Sequence, residues 1–168
     1  MNIPKIPDNS LTEEIKEIVG LCQKLEPKYG ANAFSFAPPA SEEEISDWEN
    51  INSISIPEDY KDWLRFSNGS VIKFDLARFS ALQYFSVDSN IVPDDLVIIG
   101  TLIGDGEILC FSKKTGKIIR YLDGEATTVS GFKQVLINTI RLMKGESGLS
   151  KDSFNVLLSM AKASKAKK

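Results

Sequence analysis

The sequence contains no histidine. That removes the commonest general base, the commonest metal ligand and every serine or cysteine triad built on imidazole. Cysteine is scarce as well: Cys22 lies in a helical pattern and Cys110, far along the chain, in a strand-like run. Two scattered thiols do not make a zinc site. A disulfide would need an oxidising compartment that nothing else points to, so buried free thiols are expected. No segment approaches the ~20 apolar residues that cross a bilayer. The opening MNIPKIPDNS lacks the charged region and apolar run of a signal peptide, which predicts a cytosolic protein. Neither the GxGxxG nor the GxxxxGK spacing occurs, so nucleotide binding has no support and no cofactor is expected.

What is present is an ordinary globular composition: 168 residues, 42% hydrophobic and 26% charged. A chain of this length supports one domain and buries roughly 70% of its unfolded surface. The net charge of −3 hides a split. Residues 1–150 carry 15 Lys plus Arg against 22 Asp plus Glu, whereas residues 151–168 carry 5 against 1. An acidic body repels nucleic-acid backbones and attracts basic proteins, so neither nucleic acid nor membrane is an expected partner.

The stretch Pro38 to Gly69 organises the rest. Ser41 and Glu44 have the spacing of a capping box, followed by Ile45, Trp48 and Ile51 as an apolar seam with Glu42, Glu43, Asp47 and Glu49 behind it. Pro57, Glu58 and Asp59 open a second helix, where a missing N–H costs nothing and the helix dipole favours negative charge. Tyr60, Trp63 and Leu64 then face inward, and Asn68–Gly69 end the helix. Core packing is the expected role of both tryptophans.

Upstream, Ser10 and Glu13 form another potential capping box, and Leu11, Ile15, Ile18, Val19, Cys22 and Leu25 follow helical spacing up to Pro27. A partner-binding helix would show the same pattern; packing on the core is the expectation. Lys28 to Pro38 reads as an extended surface connection. Downstream, strands are predicted at Ser70–Asp75, Leu82–Val87, Leu96–Ile99 continuing to Ile103, Glu107–Ser112 and Lys117–Leu122. Leu76–Ala81, Ser89–Asp95 and Asp123–Thr128 read as links, with hairpin turns at Gly104–Gly106 and Lys113–Lys117. Phe132–Met143 is predicted to be a helix. The expected fold is therefore α+β: a single twisted, mainly antiparallel sheet of about 5–6 strands packed with helices. Residues 1–150 form that domain, and 151–168 a short helix with a frayed basic tail.

The ordered set Pro39, Ser41, Glu42, Glu44, Ile45, then Ile56, Pro57, Asp59, Tyr60, Leu64, Asn68 and Gly69 resembles the signature of the SUKH superfamily, the Smi and Knr type proteins. Ile98, Ile99, Gly100, Asp105, Gly106, Glu107, Phe132, Val135 and Leu136 follow in the family's order, so the resemblance covers residues 38 to 143. It departs at Asn52–Ser55, where the family usually has a glycine. Bacterial members look like immunity proteins that neutralise toxin domains, often nucleases. The resemblance thus implies an antitoxin acting by occlusion on a basic toxin domain. The fungal members imply an alternative, a regulatory scaffold linking signalling to cell-wall synthesis.

The carboxylates Asp94, Asp95, Asp105, Glu107, Asp123 and Glu125 cluster in loops and at strand ends. In exposed turns such groups keep near-normal acidity, which speaks against acid–base chemistry and leaves an enzyme on a carboxylate mechanism as the weakest reading. They are instead candidate contacts for a basic partner, since loop charges steer association at little cost in stability. Gly104–Glu107 lacks the further oxygen ligands of a calcium loop and reads as a turn.

Overall fold

Each strand pairs with its successor, so the chain builds one antiparallel sheet in sequence order with no crossover. The computed structural model describes residues 1–103 and 106–145. Within them the strands are β1 (Ser35–Phe36), β2 (Ser70–Ile72), β3 (Ala77–Phe79), β4 (Leu96–Leu102), β5 (Glu107–Ser112), β6 (Ile118–Leu122) and β7 (Glu125–Val129). The α+β class and antiparallel sheet are as expected; the strands number seven, not five or six. The helices are α1 (Thr12–Tyr29), α2 (Glu42–Asn52), α3 (Glu58–Leu64) and α4 (Phe132–Lys144). All four contribute to the main core, which rests on one sheet face through Phe79, Leu102, Leu109 and Phe111. The opposite face carries a smaller cluster of Val92, Leu96, Cys110 and Ile119. Cys22 and Cys110 are both buried and unpaired.

The central stretch forms as its residues dictate. The Ser41 hydroxyl accepts from the Glu44 N–H at 3.1 Å while the Glu44 carboxylate accepts from the Ser41 N–H at 2.7 Å, closing the capping box that starts α2. Pro57 stands immediately before α3, and Tyr60, Trp63 and Leu64 are fully buried. Trp63 meets Phe36, Phe66, Phe79 and Phe132 at centroid distances of 5.2 to 6.5 Å. Such pairs each contribute ~0.5–1.5 kcal/mol beyond the area they bury. Two side chains of α3 also tie distant elements together. The Tyr60 hydroxyl lies 3.3 Å from the carbonyls of Ser80 and Ile99, and Asp59 Oδ2 accepts from the backbone N–H of Phe132 at 2.5 Å. Asp59 therefore caps α4, satisfying N–H groups that a helix start leaves unpaired.

Several expectations are corrected. Ser10 does not cap α1; its hydroxyl donates to Asp62 at 2.5 Å, and the helix starts after Leu11 with no side-chain cap. Pro27 does not stop α1, which continues to Tyr29 and ends where Gly30 takes φ 88. Lys28–Pro38 is not a surface connection, because Ala33, Phe34 and Phe36 are buried and β1 pairs with β2. Ser53, not a glycine, takes the left-handed conformation (φ 52) that ends α2. α3 ends at Leu64, earlier than Asn68–Gly69; Gly69 (φ 113) serves the turn into β2, and the Asn68 carboxamide accepts from the Leu82 N–H.

The assignments at 76–87 are exchanged. Lys73 (φ 48) and Phe74 (φ 60) turn the chain without glycine, placing β3 where a link was expected. Leu82–Tyr84 is one 3-10 turn, and only Ser86 bridges to the sheet, at Ile98. Asp123–Thr128 holds β7, not a loop: Asp123 (φ 50) and Gly124 (φ 85) form the two-residue hairpin turn by themselves. Gly104, Asp105 and the expected C-terminal helix and tail (151–168) lie outside the described residues.

Candidate functional site

The six candidate carboxylates do not form one patch. Antiparallel register puts Leu96 opposite Ser112 at one end of the sheet and Leu102 opposite Glu107 at the other. Asp94 and Asp95 lie at the first end; Glu107, Asp123 and Glu125 lie at the second, about 20 Å away by strand rise. Asp105 falls outside the described residues. Two of the six also have local partners. Asp95 accepts from the Ser112 hydroxyl at 2.6 Å and from the Lys114 N–H at 3.2 Å, fixing the turn between β5 and β6. Glu107 is 9% exposed and pairs with Arg120 at 2.8 Å beneath α4. Asp94, Asp123 and Glu125 are exposed.

A more continuous surface runs along α2. Glu43, Asp47 and Ile51 follow at four-residue steps, so they lie one above another on the helix. All three are exposed, and Ile51 is 82% exposed. Neither Glu43 nor Asp47 has an ion-pair partner among the described residues, whereas Glu42 at the helix start is held by Arg65 at 2.6 Å. Arg65 also pairs with Asp62 at 2.7 Å, and Glu49 with Lys61 at 2.9 Å. The hydrogen bond between Arg65 and Glu42 is the main cause that raises the guanidinium pKa and lowers that of the carboxyl, so this pair stays ionised. α2 thus has one side stapled to α3 by ion pairs and another presenting free carboxylates.

The underside of α2 is fixed by Trp48, whose ring meets Phe85 at 5.3 Å with a 70° tilt. Tyr84 immediately precedes Phe85 and is 72% exposed. Two exposed large apolar side chains thus stand next to the residues of this contact along the chain, Tyr84 immediately before Phe85 and Ile51 one helical turn after Trp48, with Glu43 and Asp47 along the same helix. Fixed negative charge beside exposed apolar groups suits a cationic polypeptide.

Ile51 does not belong to the expected seam of Ile45, Trp48 and Ile51: Ile45 is buried, whereas Ile51 points to solvent. At 100° per residue Ile51 lies about 120° from Ile45, which takes it off the buried arc. That count is the signal by which the sequence could have exposed it. Tyr84 had no such signal, since its run resembles a strand.

Two recesses open elsewhere on the described surface. One beside Glu107 and Arg120, roofed by Val135, Thr139 and Leu142, holds about 40 Å³. The other, of about 230 Å³, separates α1 from α4 and is lined by Glu13, Glu14, Glu17, Arg141 and Lys144. Both fall below the ~300–1,000 Å³ usual for small-molecule pockets. Much of the second is neutralised internally, because Lys144 pairs with Glu17 and Lys133 with Glu14. Among the described residues no group of three or more Cys, Asp or Glu is placed to hold a metal ion, and no helix is long and apolar enough to cross a membrane.

An α+β protein with a meander sheet, helices on its main-core face and a charged helix left open is the class that fold and surface define. The chain belongs to the SMI1 / KNR4 family (SUKH-1), whose model matches residues 39–137. The match spans the elements from α2 to the first half of α4. No curated protein matches the chain. The family includes both immunity proteins and relatives of fungal Knr4.

Proposed function

We propose that this chain is a cytosolic immunity protein that binds a basic toxin domain, a nuclease, and blocks it by occlusion without catalysing a reaction. The observation that carries this reading is the unpaired acidic stripe Glu43–Asp47 leading to exposed Ile51. A nuclease that grips phosphate presents a cationic groove, and a preformed anionic surface competes for it. The exposed carboxylates Asp94, Asp123 and Glu125 would extend the negative field at the sheet ends. A stable complex buries ~1,600 Å² in total.

The test is calorimetric titration with the toxin domain encoded immediately upstream, followed by assay of that toxin's activity with and without the chain. Tight binding with loss of activity is expected; absence of binding overturns the proposal. Family membership also supports a second reading, a regulatory scaffold of the fungal type. The same titration separates the two, because a scaffold's partner keeps its activity when bound.

A further inference from the structure

The sheet has two edges, and the sequence guards them differently. β1 is two residues long and is followed closely by Pro38 and Pro39, both features that deter another strand. β7, at the other edge, has five residues, Glu-Ala-Thr-Thr-Val, with one charge, no proline and no bulge against β6. Residues 125–128 are exposed, and the outer edge of β7 pairs with no strand among the described residues.

The hydrogen-bonding groups on that edge can be assigned. Asp123 and Gly124 form a two-residue hairpin loop, so Leu122 and Glu125 are a hydrogen-bonded pair, as are Arg120 with Thr127 and Ile118 with Val129. The alternate residues, Ala126 and Thr128, must then point their N–H and C=O groups outward. These four groups define a site for one further antiparallel strand.

We infer that the occupant is β7 of a second copy of this chain, paired antiparallel about a two-fold axis through Thr127. In that register Ala126 faces Thr128 of the other copy, and both present outward groups, so four backbone hydrogen bonds form. Thr127 meets its own equivalent, a favourable cross-strand pair. The charges are compatible, because Glu125 lies opposite Val129 and not opposite another carboxylate. Shifting the axis to Ala126 would set Thr128 against Gly124, which turns away at φ 85. The outer-face row of Ile119, Tyr121, Ala126 and Thr128 continues across the junction into the second molecule. The contact is isologous and self-limiting, since each chain has one such edge. It buries less than the ~800 Å² per partner of a standard interface, so the association is weak and reversible. The inference does not depend on the immunity reading.

Sedimentation across a concentration series should show a monomer giving way to a dimer, with no larger species. A cysteine scan tests the register. Across a non-hydrogen-bonded pair the Cα atoms lie ~4.5 Å apart, inside disulfide range, so Thr127→Cys should cross-link under mild oxidation. Ala126→Cys is the control: its nearest counterpart would be about 8 Å away, outside that range. The native thiols of Cys22 and Cys110 are buried, which pushes both up to about 12 and keeps them from competing. Cross-linking of Thr127→Cys about tenfold faster than Ala126→Cys supports the pairing. Equal rates, a faster Ala126→Cys, or a monomer at every concentration up to ~1 mM overturns it. The last result would leave the edge to a strand from another protein.

Discussion

Asp59 acts on a helix 73 residues further along the chain, where its Oδ2 takes the Phe132 N–H at 2.5 Å and lies 3.4 Å from that of Lys133. Gly131 permits this approach: a Cβ there would stand 2.8 Å from the same oxygen. Asp59, the second of the two acidic residues between Pro57 and Tyr60, therefore has a task that helix propensity alone does not explain. Asp59→Ala should cost about 1–2 kcal/mol in urea unfolding, in line with other lost N-caps, and Asp59→Asn should recover part of it. Ser53 gives the opposite case. It holds φ 52 at the end of α2, in the region that disfavours side chains. Ser53→Gly should stabilise the protein by roughly 0.5–1 kcal/mol, because relief of the backbone outweighs the extra freedom of an unfolded glycine. An unchanged or lower urea midpoint would show that the Ser53 backbone carries no such cost.

At the scale of elements, β4 is the strand most constrained by backbone. Its register against β5 shifts between Ile98 and Gly100, and a Cβ on Gly100 would meet the Arg78 carbonyl oxygen at 2.1 Å. β3 can lie that close only because the residue is glycine. Gly100→Ala should lower stability by about 3 kcal/mol, with the loss visible first as faster amide exchange in β3. The strands rich in branched apolar residues, β4 to β6, were legible in the sequence, as were α2 from its capping box and α4 from its apolar period. β7 was not, since four of its five residues are exposed and no alternation marks it. β3 was hidden because Lys73 and Phe74 turn the chain where a reader looks for glycine or asparagine. The candidate site was legible only as charge. Sequence showed that the body is acidic, but which carboxylates are free depends on pairings between α2, α3, β5 and β6 that only the fold creates.

For the whole molecule, free and committed carboxylates should differ in what their loss does. Glu42 and Glu49 hold α2 to α3 through Arg65 and Lys61, so reversing them would confound stability with binding. Glu43 and Asp47 have no ion-pair partner among the described residues and can be changed without breaking a salt bridge. If the α2 surface meets a basic toxin domain, a Glu43→Lys/Asp47→Lys double variant should fold with a stability loss of no more than about 1 kcal/mol, the helix-dipole cost of a cation in the first turn of α2. Its association rate at low salt should fall about tenfold or more, since steering by the net field sets that rate. Near 1 M salt the Debye length shrinks to ~3 Å, and the two rates should converge. Ile51→Asp should act differently, removing an apolar anchor from the contact and thereby raising the dissociation rate at every ionic strength. Stopped-flow association and surface-plasmon dissociation separate these effects. If the double variant associates as fast as wild type at low salt, the partner docks elsewhere, and Asp94, Asp123 and Glu125 become the next positions to reverse.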